Sequence, residues 1–170
     1  MILDWIRVAE EREGPRLSIE LVPRTCWYSN VRSNVSAADW EKCKQFVRKR
    51  SGDRCEVCGG KGPKWPVECH EIWDYDDDES RQTLMGLIAL CPDCHEVKHI
   101  GRVSVTEGPP GIVRCLEHLG RVNGWDLETC EAYVKNEFHI HALRSLSEWE
   151  LDVSWLSFLG IETGDLDRSR

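Results

Sequence analysis

No stretch of the chain is apolar for anything near the roughly twenty residues that a membrane span needs, which excludes a helical membrane protein. The amino terminus, MILDWIRVAEEREG, is acidic where a secretory leader would be basic, so the expectation is an intracellular, cytoplasmic protein with no membrane partner. Cations are scarce as well. With 22 Lys and Arg against 30 Asp and Glu, the net charge is −8, which excludes a protein that coats nucleic acid over its whole surface. Internal repeats and low-complexity tracts are absent. The 170 residues therefore have to build one fair-sized domain, or a small domain with elaborations at both ends. Cysteine is the residue in excess. Nine is an odd number, and with no leader and paired spacing it favours metal ligation in a reducing compartment over a disulfide scaffold. Cys26, Cys43, Cys69, Cys115 and Cys130 are expected to be free, buried thiols.

The pairing is in residues 55–99, CEVCGGKGPKWPVECHEIWDYDDDESRQTLMGLIALCPDCHEVKH. Each Cys-x-x-Cys turn presents two thiolates to one cation, so Cys55, Cys58, Cys91 and Cys94 together match the tetrahedral sulfur shell of a structural zinc. Gly59 and Gly60 suit such a knuckle, because small residues let backbone amides turn toward the sulfurs. His95 and His99 are four residues apart and share a helix face, able to point both imidazoles at one ion.

Around this stretch the periodicities predict a mixed α and β chain. Ile2, Trp5, Ile6 and Ala9 have helical spacing over residues 1–14, and Leu17, Ile19 and Leu21 alternate as in a half-buried strand. Trp27, Tyr28, Arg32 and the nearby asparagines have the chemistry to bind a ligand as well as to pack. Ser36 with Asp39 resembles a capping box, which starts a helix at about Ala37 and runs it to Ser51-Gly52. Trp40, Cys43, Phe46 and Val47 lie on one face of it and basic residues largely on the other. Eight basic residues against three acidic ones fall between Glu41 and Lys64, a local excess able to seat a phosphate backbone through Lys44, Arg48, Lys49, Arg50 and Arg54, or simply a solvated face. VECHEIWDY reads as a strand with Val67, Cys69, Glu71 and Trp73 on one side and Glu68, His70 and Ile72 on the other. Asp74 to Glu79 is predicted to be an exposed loop, and Leu84 to Leu90 a core segment. Cys91 to Ile100 is predicted to be a short helix that Gly101 ends. RVSVTEGPPG then reads as hairpin-like, residues 112–121 and 127–146 as helices, and WELDVSWLSF as a strand that pairs with RLSIELVP. The tail from Glu162 is polar and expected to fray. The division expected is an elaboration over 1–36, a metal-bound core over 37–104 and a helical elaboration over 105–170.

Taken together, the first Cys-x-x-Cys, a strand histidine, the LIALC segment, a second Cys-x-x-Cys followed at once by His, and a His four residues later resemble the HNH endonucleases. The resemblance covers about Cys55 to Gly101. It implies an α+β fold whose core is a small ββα-metal (His-Me finger) unit on a treble-clef-like zinc scaffold. It implies a metal-dependent endonuclease or nickase acting on nucleic acid, with double-stranded DNA the first substrate to consider. His70 takes the place of the general base, His95 that of a ligand to a second divalent ion (Mg2+, Mn2+, Ni2+ or Zn2+), and His99 that of a further ligand or phosphate contact. Two positions depart from the family pattern. Cys69 stands where an acidic ligand is usual, leaving Glu68 and Glu71 as substitutes, of which Glu68 shares the side of His70 on a regular strand. Gly86 stands where the middle asparagine is usual, with Gln82, Asn123 or the 74–79 loop available to brace the site. The competing expectation is a non-catalytic zinc-finger module that binds nucleic acid or a protein partner.

Overall fold

The computed structural model describes residues 14–26 and 30–162. The helical spacing of Ile2, Trp5, Ile6 and Ala9, the pair Trp27 and Tyr28, and the tail beyond Glu162 lie outside the described residues. The described chain is a mixed α+β structure. A short turn of 3-10 helix, Arg24–Cys26, precedes α1 (Val31–Asn34) and α2 (Ala37–Ser51). The hairpin β1 (Glu68–Asp76) and β2 (Arg81–Leu90) leads into α3 (Pro92–Lys98), α4 (Ile100–Thr106), α5 (Gly108–Asn123) and α6 (Leu127–Arg144). β3 (Glu150–Asp152) and a second 3-10 segment, Ser154–Leu159, close the described chain. None of these helices is long and apolar enough to cross a membrane.

The helix at 37–51 starts as its sequence dictates. The Asp39 N–H donates to Ser36 Oγ, and that hydroxyl donates in turn to Asp39 Oδ2 at 2.7 Å. Gly52 ends it at φ 59°, a left-handed conformation that glycine adopts without steric cost. β1 and β2 pair antiparallel, with His70 opposite Ile88 and a register shift beyond Ile72 that leaves Met85 as the extra residue of β2. The shift lies past His70, so the alternation of β1 is undisturbed at the site. Val67, Cys69 and Trp73 pack with Val47, Leu87 and Leu156 on one side, while Leu90, Val97, Ile100 and Leu119 form a separate core with Leu17 and Ile19. Both cores draw residues from outside 37–104.

Several expectations fail for identifiable reasons. The 17–21 segment buries Leu17 and Ile19, yet it is not a strand and has no regular secondary structure. Its backbone is held by helices instead: Leu17 N–H donates to Asn123 Oδ1, Ile19 N–H to Tyr133 Oη, and Glu20 N–H to the Lys98 carbonyl. β3 therefore has no partner there and pairs in parallel with β2, Arg81 opposite Glu150. The rest of WELDVSWLSF leaves the strand where the Asp152 carboxylate accepts the Ser154 N–H and starts the 3-10 turn. RVSVTEGPPG is helical, its V-x-V alternation being incidental: Val103 is buried but Val105 is 86% exposed. Pro109 and Pro110, in the first turn of α5, start a new helix there. Gly101 ends no helix; it lies in α4, where a Cβ would stand 2.8 Å from the Leu21 side chain. The acidic loop shortens to a tight turn at 77–80, since Asp74 to Asp76 belong to β1.

Candidate metal centres

Two groups of side chains able to hold a metal ion occur among the described residues, and the ligand atoms of each lie within 4.8 Å of one another: Cys55, Cys58, Cys91 and Cys94, and His70, His95 and His99. Consecutive residues of α3, Cys94 and His95, belong to different groups.

The sulfur group is assembled by two turns. In the first, Cys58 N–H points at Cys55 Sγ at 3.5 Å and Gly60 N–H at Cys58 Sγ at 3.4 Å, the amide-to-sulfur contacts expected of a glycine knuckle. Gly59 at φ 76° makes the turn, and Glu56 ties it to the hairpin, its N–H on the Ala89 carbonyl and its carboxylate accepting the Ala89 N–H. In the second turn Cys91 is the N-cap of α3 and Pro92 its first residue. Cys58 Sγ and Cys91 Sγ are 3.5 Å apart. Two thiolates bonded to one zinc at about 2.3 Å and the tetrahedral angle would stand about 3.8 Å apart, so the group fits zinc. Without a cation the sulfurs cannot all ionise. The Cys94 S–H holds the Cys55 thiol down to about 4, while burial pushes Cys91 up to about 12 and donation to Cys55 pushes Cys94 upward.

A further partner of this group gave no sequence signal. His118, on α5, has Nε2 3.1 Å from Cys94 Sγ, and its Nδ1 accepts from Arg121 Nη2 at 2.7 Å. An arginine can only donate, so the proton of the neutral ring is on Nε2 and faces the sulfur. Burial keeps His118 below its ordinary pKa and so neutral.

The imidazole group joins the first strand of the hairpin to the helix after it. His95 and His99 sit one turn apart on and just beyond α3, Nε2 to Nε2 at 3.1 Å. His70 reaches them from β1, with ring centroids 5.2 Å from His95 and 4.9 Å from His99, and the three rings stand close to perpendicular. His70 is 2% exposed, and neither of its ring nitrogens has a hydrogen-bond partner. Leaving a buried polar group unsatisfied costs about 1–3 kcal/mol, so a shared ligand is the natural resolution. His99 is pushed down to about 3 by burial and by the neighbouring rings, which keeps its lone pair available at neutral pH.

Of the two substitute carboxylates, Glu68 belongs to this group. It accepts from His95 Nδ1 at 2.6 Å, which puts the lone pair of His95 on Nε2, facing His99, and the contact holds the Glu68 carboxyl below its usual range. Glu71 faces the other way: it accepts the Val31 N–H at the start of α1, and burial pushes it upward. Cys69 also faces away from the ring group, among the partly buried residues of the α2-side core, and burial raises its thiol. Gly86 pairs with Ile72, Gln82 is buried beside Tyr75, and Asn123 clamps Leu17. The second residue invisible in the sequence is Glu20, whose Oε2 lies 3.6 Å from His70 Nε2.

Four of the five predicted phosphate-seating residues are engaged within the chain. Lys44 pairs with Glu41, Arg48 with Asp53, and Arg54 donates to the Gly59 carbonyl. Arg50 makes two bonds to Glu56, at 2.7 and 2.5 Å, and a third to the Leu87 carbonyl. Lys49 is exposed. In comparisons with known proteins the chain matches no family model, no curated protein and no solved structure.

Proposed function

We propose that the chain is a metal-dependent endonuclease or nickase that hydrolyses phosphodiester bonds of nucleic acid, double-stranded DNA being the favoured substrate. The supporting observation is the convergence of His70, His95 and His99 where an antiparallel hairpin meets a helix, directly beside a four-cysteine cluster. It supports the reading by likeness to the HNH endonucleases, in which a strand histidine and helix histidines meet on a treble-clef-like zinc scaffold. In this reading the cysteines hold a structural zinc that fixes β2 against α3, and the imidazoles hold the second divalent ion. The family role of His70 is general base; its burial and its nearness to both helix histidines favour a ligand. Three nitrogen donors favour a transition ion such as Mn2+, Ni2+ or Zn2+ over Mg2+, which prefers oxygen. When bound, such an ion supplies Lewis acidity toward a phosphate and lowers the pKa of a water.

The protein's part is to orient the rings, Glu68 fixing His95, and to seat the substrate. Exposed ion pairs are worth about 0–1 kcal/mol, so the Lys44 and Arg48 pairs can be exchanged for phosphate contacts, with Lys49 and Arg54 alongside. Arg50, held by three bonds and less exposed, stays with Glu56. The test is cleavage of supercoiled plasmid by protein reloaded with Mn2+, Ni2+, Zn2+ or Mg2+. The expected result is nicking or linearisation that His95→Ala abolishes while the fold and the sulfur-bound zinc persist. Binding without cutting under every metal would instead establish the non-catalytic zinc-finger module.

A further inference from the structure

We propose that Glu20, on the irregular segment near the amino-terminal end of the described chain, is the positioning carboxylate for His70, engaging its Nε2–H so that Nδ1 carries the lone pair offered to a metal ion. The role of the ion rests on the reading above; the pairing of Glu20 with His70 is argued from the chain alone. Glu20 is only 13% exposed at its side chain, and His70 is 2% exposed with both ring nitrogens unpartnered. A neutral imidazole has one N–H to place and one lone pair to give. Glu20 Oε2, at 3.6 Å from His70 Nε2, is the acidic oxygen paired with that ring, a few tenths of an ångström beyond a hydrogen bond.

The alternative partner of Glu20 is Lys98. That contact is longer, 3.9 Å, and the Lys98 ammonium donates to Ser18 Oγ at 2.8 Å. The position of Glu20 is also fixed with unusual care for a segment outside regular structure. Its own N–H bonds to the Lys98 carbonyl on α3, the helix that carries His95. On its amino-terminal side Asn123 clamps both backbone polar groups of Leu17, at 2.9 and 2.8 Å, and Tyr133 receives the Ile19 N–H. His95 shows the same device completed: Glu68 takes Nδ1–H and puts the lone pair on Nε2. Two of the three rings are then oriented by carboxylates from different parts of the chain, one inside the hairpin–helix unit and one outside it. Outer-shell carboxylates of this kind typically change metal affinity by about 10–100-fold.

The experiment uses the full chain with zinc at the four cysteines and Co2+ titrated as the probe of the second site, with calorimetry as readout. Glu20→Gln is expected to weaken Co2+ binding by about 10–100-fold, leaving one zinc per chain and the unfolding temperature close to wild type. Ring 15N spectra of the wild-type chain are expected to show His70 protonated on Nε2. Unchanged Co2+ affinity in Glu20→Gln, an Nδ1–H tautomer at His70, or a wild-type chain that takes up no Co2+ would each overturn the proposal. Should Glu20→Gln be poorly folded, Glu20→Asp serves, with an intermediate affinity expected and a wild-type affinity overturning. Cleavage is not among these readouts. A protein that passes them and cuts nothing refutes the nuclease reading alone, and one that cuts with unaltered affinity in Glu20→Gln refutes only the role of Glu20.

Discussion

The four-sulfur cluster and the three-imidazole cluster share the same hairpin and helix, and they differ in what they would leave of an ion's charge. Four thiolates around a dication give a net negative centre with every ligand from the protein, which is the condition of a structural zinc. Three neutral imidazoles leave the charge of the dication undiminished and supply one donor fewer than a closed tetrahedron, which is the condition of a Lewis-acid centre. The outer partners follow the same division. His118 and backbone amides direct N–H groups at sulfur, stabilising negative charge, whereas Glu68 and Glu20 are the carboxylates beside imidazole nitrogens. With an ion in each, one centre would be inert and the other polarising, although Cys94 and His95 are neighbours in the chain.

The comparison breaks most violently at Cys94. Cys94→Ser replaces one of the four clustered thiols with a hydroxyl, a poor zinc ligand, and structural zinc contributes about 10 kcal/mol or more to small domains. Loss of cooperative thermal unfolding by circular dichroism, with zinc content near zero, is the expected outcome; a folded, zinc-free variant would show that the sulfurs do not hold the hairpin to α3. His95→Ala, by contrast, is expected to keep one zinc per chain and a cooperative transition while taking up no second ion in equilibrium dialysis. Retention of two ions by that variant would remove His95 from the ligand set. Glu68→Gln sharpens the contrast further, with second-site affinity down by about 10–100-fold and the sulfur-bound zinc unaffected.

Acid should act on the imidazole side first. His99 is depressed in the folded chain to about 3 from an ordinary 6.5, so the unfolded chain takes up that proton earlier as pH falls. The stability it contributes is complete above about 6.5 and is lost progressively as pH falls toward about 3. His99→Gln is therefore expected to flatten the fall of unfolding temperature over that window, and an unchanged slope would contradict the buried, neutral ring. The smallest effect is at the clamp. Asn123→Ala leaves the Leu17 N–H and carbonyl without partners, about 1–3 kcal/mol, which for a chain of this size lowers the unfolding temperature by about 2–4 °C per kcal/mol. Its second-site affinity should fall by less than in Glu20→Gln, because the Glu20 N–H keeps the Lys98 carbonyl.

What could be read from the residues alone follows how local the determining physics is. Cys-x-x-Cys turns and the His95/His99 spacing place ligands within one turn, so their grouping needs no tertiary information. Glu68 was separable from Glu71 because strand alternation holds through His70, the register shift coming only after Ile72. Glu20 and His118 were invisible because their roles depend on approach of segments dozens of residues away. The 17–21 segment shows the limit of periodicity: alternation reports one buried face of the segment but not whether strand or side chains satisfy its amides. RVSVTEGPPG misleads because its β-branched alternation lies within α4, where Val103 is buried and Val105 exposed, and its two prolines open the following helix rather than a hairpin strand.

The most direct test of the central claim is anomalous scattering from crystals of the full chain grown with Zn2+ and Mn2+, recorded at both absorption edges. The account predicts two peaks per chain, one enclosed by Cys55, Cys58, Cys91 and Cys94 and one within about 2.0–2.2 Å of nitrogens of His70, His95 and His99. A single peak at the sulfurs, with the three rings bonded only to each other and to carboxylates, would contradict it.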